Sequence, residues 1–160
     1  MRTILIGAAA VWAMASPAAA LEVEAAVETT ATPAAVWTRI GEFCEIARWH
    51  PAVEACSVKT EDGTQIRTLT LAGNGGTLVE QLVSRDEAAM RYTYRIVDGP
   101  LPVQGYESTI SVKPDATGKG SQIGWRGTFE AKGASDEEAS KVIRGIYDAG
   151  LAALAEPPAN

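Results

Sequence analysis

Apolar and polar positions alternate over residues 21–30, with Leu21, Val23 and Val27 set against Glu22, Glu24 and Glu28. That period of two predicts a strand with one covered face. Thr32-Pro33 then supplies a helix cap followed by proline at the first helical position. Val36, Trp37, Ile40 and Phe43 recur at three- and four-residue spacing and form one apolar stripe, and a second short helix is expected from Glu42 to about Arg48, ending before Pro51. From Ala52 to Glu130 no helical period remains. Strands are predicted over 53–60, 65–72, 77–84, 89–97, 104–113 and 122–131, separated by Asp62-Gly63, Gly73-Asn74-Gly75-Gly76, Arg85-Asp86-Glu87, a proline turn and the segment 114–120. Six short strands with such connections make an antiparallel meander. Ser135 and Glu138 then form a capping box ahead of a stripe of Val142, Ile143, Ile146, Tyr147, Leu151 and Leu154, which Pro157-Pro158 brings to an end. A long amphipathic helix and a sheet can bury their apolar faces only against each other, which predicts an α+β domain.

Residues 92–106, YTYRIVDGPLPVQGY, pass from strand to turn and back. Pro100 and Pro102 stiffen the connection and hold Leu101 and Val103 out from it. Apolar side chains held in this way are expected to close the mouth of a cavity. Gly150 in the last helix either leaves room beside it or packs closely on a strand.

Residues 1–20 read as a cleavable signal peptide: Arg2, an apolar run from Ile4 to Ala15, and Ala18-Ala19-Ala20 behind Pro17. The expected organisation is this leader, one domain over 21–156 and a short tail at 157–160. A periplasmic or secreted location follows, with no stable membrane anchor. Without Arg2 the chain carries about seven more acidic than basic residues, and the basic ones are scattered, which argues against nucleic-acid binding. Cys44 and Cys56 are the only cysteines, and export favours a disulfide between them over two buried thiols. Two separated cysteines and one histidine make no recognisable metal set, and no cofactor motif is present in the sequence.

The element order, together with Val36-Trp37, Phe43, Trp49-His50-Pro51, Arg67-Thr68-Leu69, Glu80-Gln81-Leu82, Asp98-Gly99-Pro100-Leu101-Pro102, Tyr106 and Trp125, resembles the START/Bet v 1-like (SRPBCC) superfamily. It is most similar to the polyketide cyclase/dehydrase and lipid-transport branch, related to plant abscisic acid receptors. The resemblance implies a helix-grip fold: a curved seven-strand antiparallel sheet around a long C-terminal helix, with two short helices after the first strand. It implies a gate at 73–76, a latch at 100–103, and a pocket lined by Leu69, Leu71, Leu78, Glu80, Tyr94, Ile96, Tyr106 and Ser108, with Val142, Ile146 and Gly150 from the helix. Glu54 stands at the position of the receptors' anchoring lysine and Arg126 at that of a pocket carboxylate, a charge-reversed pair able to form a buried bridge.

Three functions follow as expectations. The leading one is an exported binding protein for a small, mainly hydrophobic, lipid- or polyketide-like ligand. The second is a cyclase or dehydratase in which Glu80 or Glu54 acts as base, Tyr94 or Tyr106 as hydrogen-bond donor to an enolate, and Arg67 or Arg126 holds a carbonyl or carboxylate. A structural pairing of Glu80 with Arg67 across adjacent strands is preferred to that role. For His50, capping of a turn is preferred to acid–base chemistry, and Trp37 and Trp49 are expected in the core. The third function, accessory partner of a periplasmic oxidation system, is implied by the resemblance alone.

Overall fold

A computed structural model describes residues 20–156. The cleavage expected after Ala20 and the tail at 157–160 lie outside the described residues. The elements run β1 (Leu21–Thr29), α1 (Pro33–Ile40), α2 (Ile46–Trp49), β2 (Val53–Glu61), β3 (Thr64–Leu71), β4 (Thr77–Asp86), β5 (Arg91–Asp98), β6 (Val103–Pro114), β7 (Ser121–Ala131) and α3 (Asp136–Ala155). The strands form one antiparallel sheet in the order β1-β7-β6-β5-β4-β3-β2, with α3 packed across β1 and β7. This is the α+β helix-grip arrangement. The strand boundaries differ from expectation by one or two residues.

Register shifts interrupt β2 between Val53 and Ala55, β4 between Leu82 and Ser84, and β6 between Gln104 and Glu107. Such bulges bend a strand and increase its twist, which curves the sheet around its concave face. The β6 bulge has a further effect. Gly105 adopts φ +60°, so Val103 and Tyr106, three residues apart, are both buried.

Thr32 caps α1 by accepting the Ala35 N–H at 3.3 Å, and Pro33 stands at its start. The helix buries Val36, Trp37 and Ile40 and stops at Gly41, whose φ of +65° ends the helical run. The second helix is a single turn beginning at Ile46, four residues later than expected. Residues 42–45 are instead used in a turn, with the Glu45 N–H bonded to the Glu42 carbonyl, and in a disulfide between Cys44 and Cys56 that ties this turn to β2. Trp37 and Trp49 are buried, their indole N–H groups donating to Glu87 at 2.7 Å and to the Ile40 carbonyl at 3.3 Å.

The capping box of Ser135 and Glu138 is formed, and α3 extends for 20 residues, about 30 Å. Its buried face is Ala139, Ile143, Tyr147, Gly150, Leu151 and Leu154. Val142, expected on the pocket side, is 40% exposed. Adjacent helical residues point about 100° apart, so with Ile143 turned into the core, Val142 faces outwards. Among the described residues no helix is long and apolar enough to cross a membrane.

Candidate functional site

A cavity of about 230 Å³ lies between the concave sheet and α3. Leu69 and Leu71 of β3, Leu78 and Glu80 of β4, Tyr94 and Ile96 of β5, Tyr106 of β6 and Trp125 of β7 form its sheet wall. Ile143 and Ile146 of α3 face them, and Ile46, His50, Ala52 and Val53 close one end. Ala72, Gly75 and Leu101 complete the boundary. Turn 73–76 and loop 100–103 sit side by side there, since a Cβ on Gly76 would lie 4.0 Å from Pro100 Cγ. The walls are almost wholly apolar, so the few polar groups decide what the cavity can recognise.

The first of these is Glu80, 4% exposed, whose Oε2 accepts from Arg67 Nε at 2.6 Å. The two residues are direct cross-strand partners on β3 and β4. The Arg67 side chain is fully buried, lies 4.0 Å from the Phe43 ring centroid and 5.1 Å from that of Tyr94, and donates through Nη1 to the Phe43 carbonyl. Its Nη2 has no hydrogen-bond partner among the described residues. Burial pushes the Glu80 carboxyl up, and Arg67 pulls it back. For Arg67 burial opposes the charge most strongly, yet Glu80 and the Tyr92 and Tyr94 oxygens together raise its pKa. A guanidinium cannot be discharged, and the carboxylate at 2.6 Å neutralises it. Arg67 thus lies behind Glu80, outside the cavity lining, while Glu80 Oε1 carries no hydrogen bond from the described residues.

The second polar group is a chain of phenols. Tyr94 Oη accepts from Trp125 Nε1 at 3.1 Å and stands 3.3 Å from Tyr106 Oη. Tyr106 Oη is 2.7 Å from Tyr147 Oη, which is 2.8 Å from Ser108 Oγ, and Ser108 donates to the Arg126 carbonyl at 2.9 Å. The Tyr147 hydroxyl fills the space that a side chain on Gly127 would take, for a Cβ there would lie 2.2 Å from it. Burial pushes Tyr94 and Tyr106 well above the ordinary phenol range and Tyr147 up to about 12, so all three keep their protons near neutral pH.

His50 is the third. Its Nδ1 accepts the Ala52 N–H at 3.1 Å, so the proton is on Nε2, which donates to the Ile146 carbonyl at 3.0 Å. Burial lowers its pKa, with the Ile146 contact opposing and Arg67 assisting. The ring is therefore a neutral turn cap joining α2 to α3, and it offers the cavity carbon. The Trp49-His50-Pro51 turn gave a signal for the cap; nothing periodic in the sequence marked His50, Ile46 or Trp125 as lining residues.

Several expected site residues lie elsewhere. Glu54 is exposed and accepts from the Gly73 N–H, and Arg126 is exposed and pairs with Glu22. Ile123, Trp125, Gly127 and Phe129 take the inward positions of β7, which turns Arg126 outwards, and the bulge after Val53 leaves Glu54 outside. No Glu54–Arg126 bridge forms. Val103 and Ser108 are buried but do not line the cavity, Ser108 being used by Tyr147 and the Arg126 carbonyl. Gly150 is closely packed, since a Cβ would come within 2.6 Å of His50 and 2.8 Å of Trp125.

Residues 20–156 match the profile of the family described as polyketide cyclase/dehydrase and lipid transport. The chain belongs to that family. The protein XoxI of Bacillus cereus has a similar structure, with 35% identity, a TM-score of 0.77, and coverage of 84% of this chain and 92% of that one. A Thermobifida fusca protein follows at 34% identity and TM-score 0.74, covering 84% and 91%. The ZhuI aromatase/cyclase of Streptomyces sp. R1128, at 19% identity, TM-score 0.64 and coverage of 85% and 92%, shares the fold. No curated protein matches the sequence.

Proposed function

We propose that the protein is exported and binds a small, mainly apolar molecule in the cavity between the sheet and α3. The observation that carries this reading is an apolar hollow of about 230 Å³ with one carboxylate, already neutralised by Arg67, set into its wall. An engineered cavity of about 150 Å³ holds benzene, so this one suits a molecule of about ten non-hydrogen atoms. A long-chain lipid is too large for it in this conformation. The leader-like sequence at 1–20 and the Cys44–Cys56 bond support an oxidising, extracytoplasmic location.

Native mass spectrometry of protein isolated from its exported compartment tests the binding reading. A retained small molecule, or uptake from a panel of monocyclic and bicyclic compounds that Ile146→Trp abolishes, is the expected result. An empty protein that takes up nothing from the panel overturns it.

A second reading, catalysis, is favoured by the unshared Glu80 Oε1, its raised pKa and the neighbouring Tyr94 hydroxyl, which together supply a base and a hydrogen-bond donor. Glu80→Gln would then abolish turnover of a bound substrate while preserving its binding. Undiminished turnover removes Glu80 from that role.

A further inference from the structure

The proton on each hydroxyl of the phenol chain can be placed by counting. A backbone carbonyl only accepts, so the Ser108 hydroxyl spends its single proton on Arg126 O. Ser108 must then accept from Tyr147, and Tyr147, its proton spent, must accept from Tyr106 at 2.7 Å. Tyr106 therefore presents only lone pairs to its remaining neighbours. At the other end Tyr94 accepts from Trp125, whose indole nitrogen can only donate. The Tyr94 proton is left with a single partner among the described residues, Tyr106, across a long 3.3 Å. Among the hydroxyls of the phenol chain it is the one free to turn into the cavity.

Beside that donor stands one fixed acceptor. Glu80 pairs with Ile96 and Leu82 pairs with Tyr94, so Glu80 and Tyr94 are diagonal neighbours on the same face of β4 and β5. Long side chains at such positions reach a common point. Both line the cavity.

From this donor–acceptor order we infer that the cavity selects a neutral hydroxyl group on a mono- or bicyclic apolar frame, the hydroxyl donating to Glu80 Oε1 and accepting from Tyr94. This rests on the binding reading above and narrows it to a ligand class. Charged groups fit poorly. A carboxylate would meet Glu80 and the lone pairs of Tyr106, whereas an ammonium would place an uncompensated charge beside a pair that already sums to zero. His50 offers no alternative, because both its nitrogens are engaged. A hydroxyl, which donates and accepts through one atom, satisfies both Glu80 and Tyr94.

The test is an NMR titration of the full domain, reading the methyl signals of Leu69, Ile143 and Ile146, with four probes on one bicyclic frame: 1-naphthol, 1-methoxynaphthalene, naphthalene and 1-naphthoate. The expected result is that 1-naphthol binds at least about tenfold more tightly than the methoxy compound and naphthalene, with naphthoate weakest. In Tyr94→Phe the advantage of naphthol over naphthalene should shrink several-fold. The wild-type comparison stands even if that variant fails to fold. Equal affinity for naphthol and methoxynaphthalene, or preference for naphthoate, overturns the hydroxyl assignment and leaves the binding reading standing. Silence of the cavity methyls towards all four probes overturns both.

Discussion

Replacing Glu80 by leucine would leave the Arg67 guanidinium wholly buried without a counter-ion. Arginine has no neutral form to retreat to. What remains around it is the Phe43 carbonyl and the Phe43 and Tyr94 ring faces. Removing one member of a buried pair costs about 3–5 kcal/mol, a large part of the roughly 5–15 kcal/mol that holds a domain folded. With a urea slope of about 2 kcal/mol per molar, the midpoint should drop by about 2 M. Arg67→Met is expected to be milder, because the stranded carboxyl can take a proton. The native carboxyl would then hold its proton more tightly than the unfolded chain, so that penalty vanishes below the ordinary carboxyl range and grows as pH rises through it. The double variant Arg67→Met/Glu80→Leu removes both charges and should return to within about 1 kcal/mol of wild type. Urea unfolding followed through the buried Trp37, Trp49 and Trp125 measures all three variants. A cost below about 1 kcal/mol for Glu80→Leu, or a double variant no better than that single one, would refute the account of the pair.

Gly150→Ala should destabilise by up to about 2 kcal/mol, the clash with His50 and Trp125 exceeding the helix-propensity gain, whereas Gly145→Ala, with open space around it, should stabilise by about 1 kcal/mol. Thermal melts of the pair decide it, and equal effects would contradict the packing described. Because burial lowers the His50 pKa, the unfolded chain takes up that proton more readily. Its contribution is fully present above about pH 6.5 and is lost as pH falls, by at most about 1.4 kcal/mol per pH unit. Glu80 acts in the opposite sense at lower pH, so the quantity to measure is the difference between wild type and His50→Gln at pH 5 and 7.5; no difference in slope would count against the buried neutral ring. Reducing the Cys44–Cys56 bond should cost about 2–3 kcal/mol in denaturant midpoints, and no change would show that the turn holds without it.

The strands and α3 were legible because each carries a local code: alternation, paired turn residues and a capping box. Glu80 and Arg67 were legible as cross-strand partners for the same reason. Glu54 and Arg126 were misplaced where analogy with hormone receptors overrode strand parity; the inward run of Ile123, Trp125 and Phe129 already turned Arg126 outwards. Val142 was misplaced because an apolar stripe read from spacing is wider than the face a helix buries. The chain from Tyr94 to Ser108 could not have been found this way. Its members come from β5, β6 and α3, brought together by tertiary packing, and the Gly105 bulge that aims Tyr106 leaves only a glycine as its trace.

Gly127 is not among the residues that line the cavity, yet it bears on what that lining offers. A methyl group at this position would evict the Tyr147 hydroxyl from its seat against β7 and take from the Tyr106 proton its 2.7 Å acceptor, leaving it Tyr94 Oη or a guest in the hollow. A surface that now solicits protons at that spot would begin to offer one. The chemical taste of the chamber is therefore adjustable from a backbone position behind its wall.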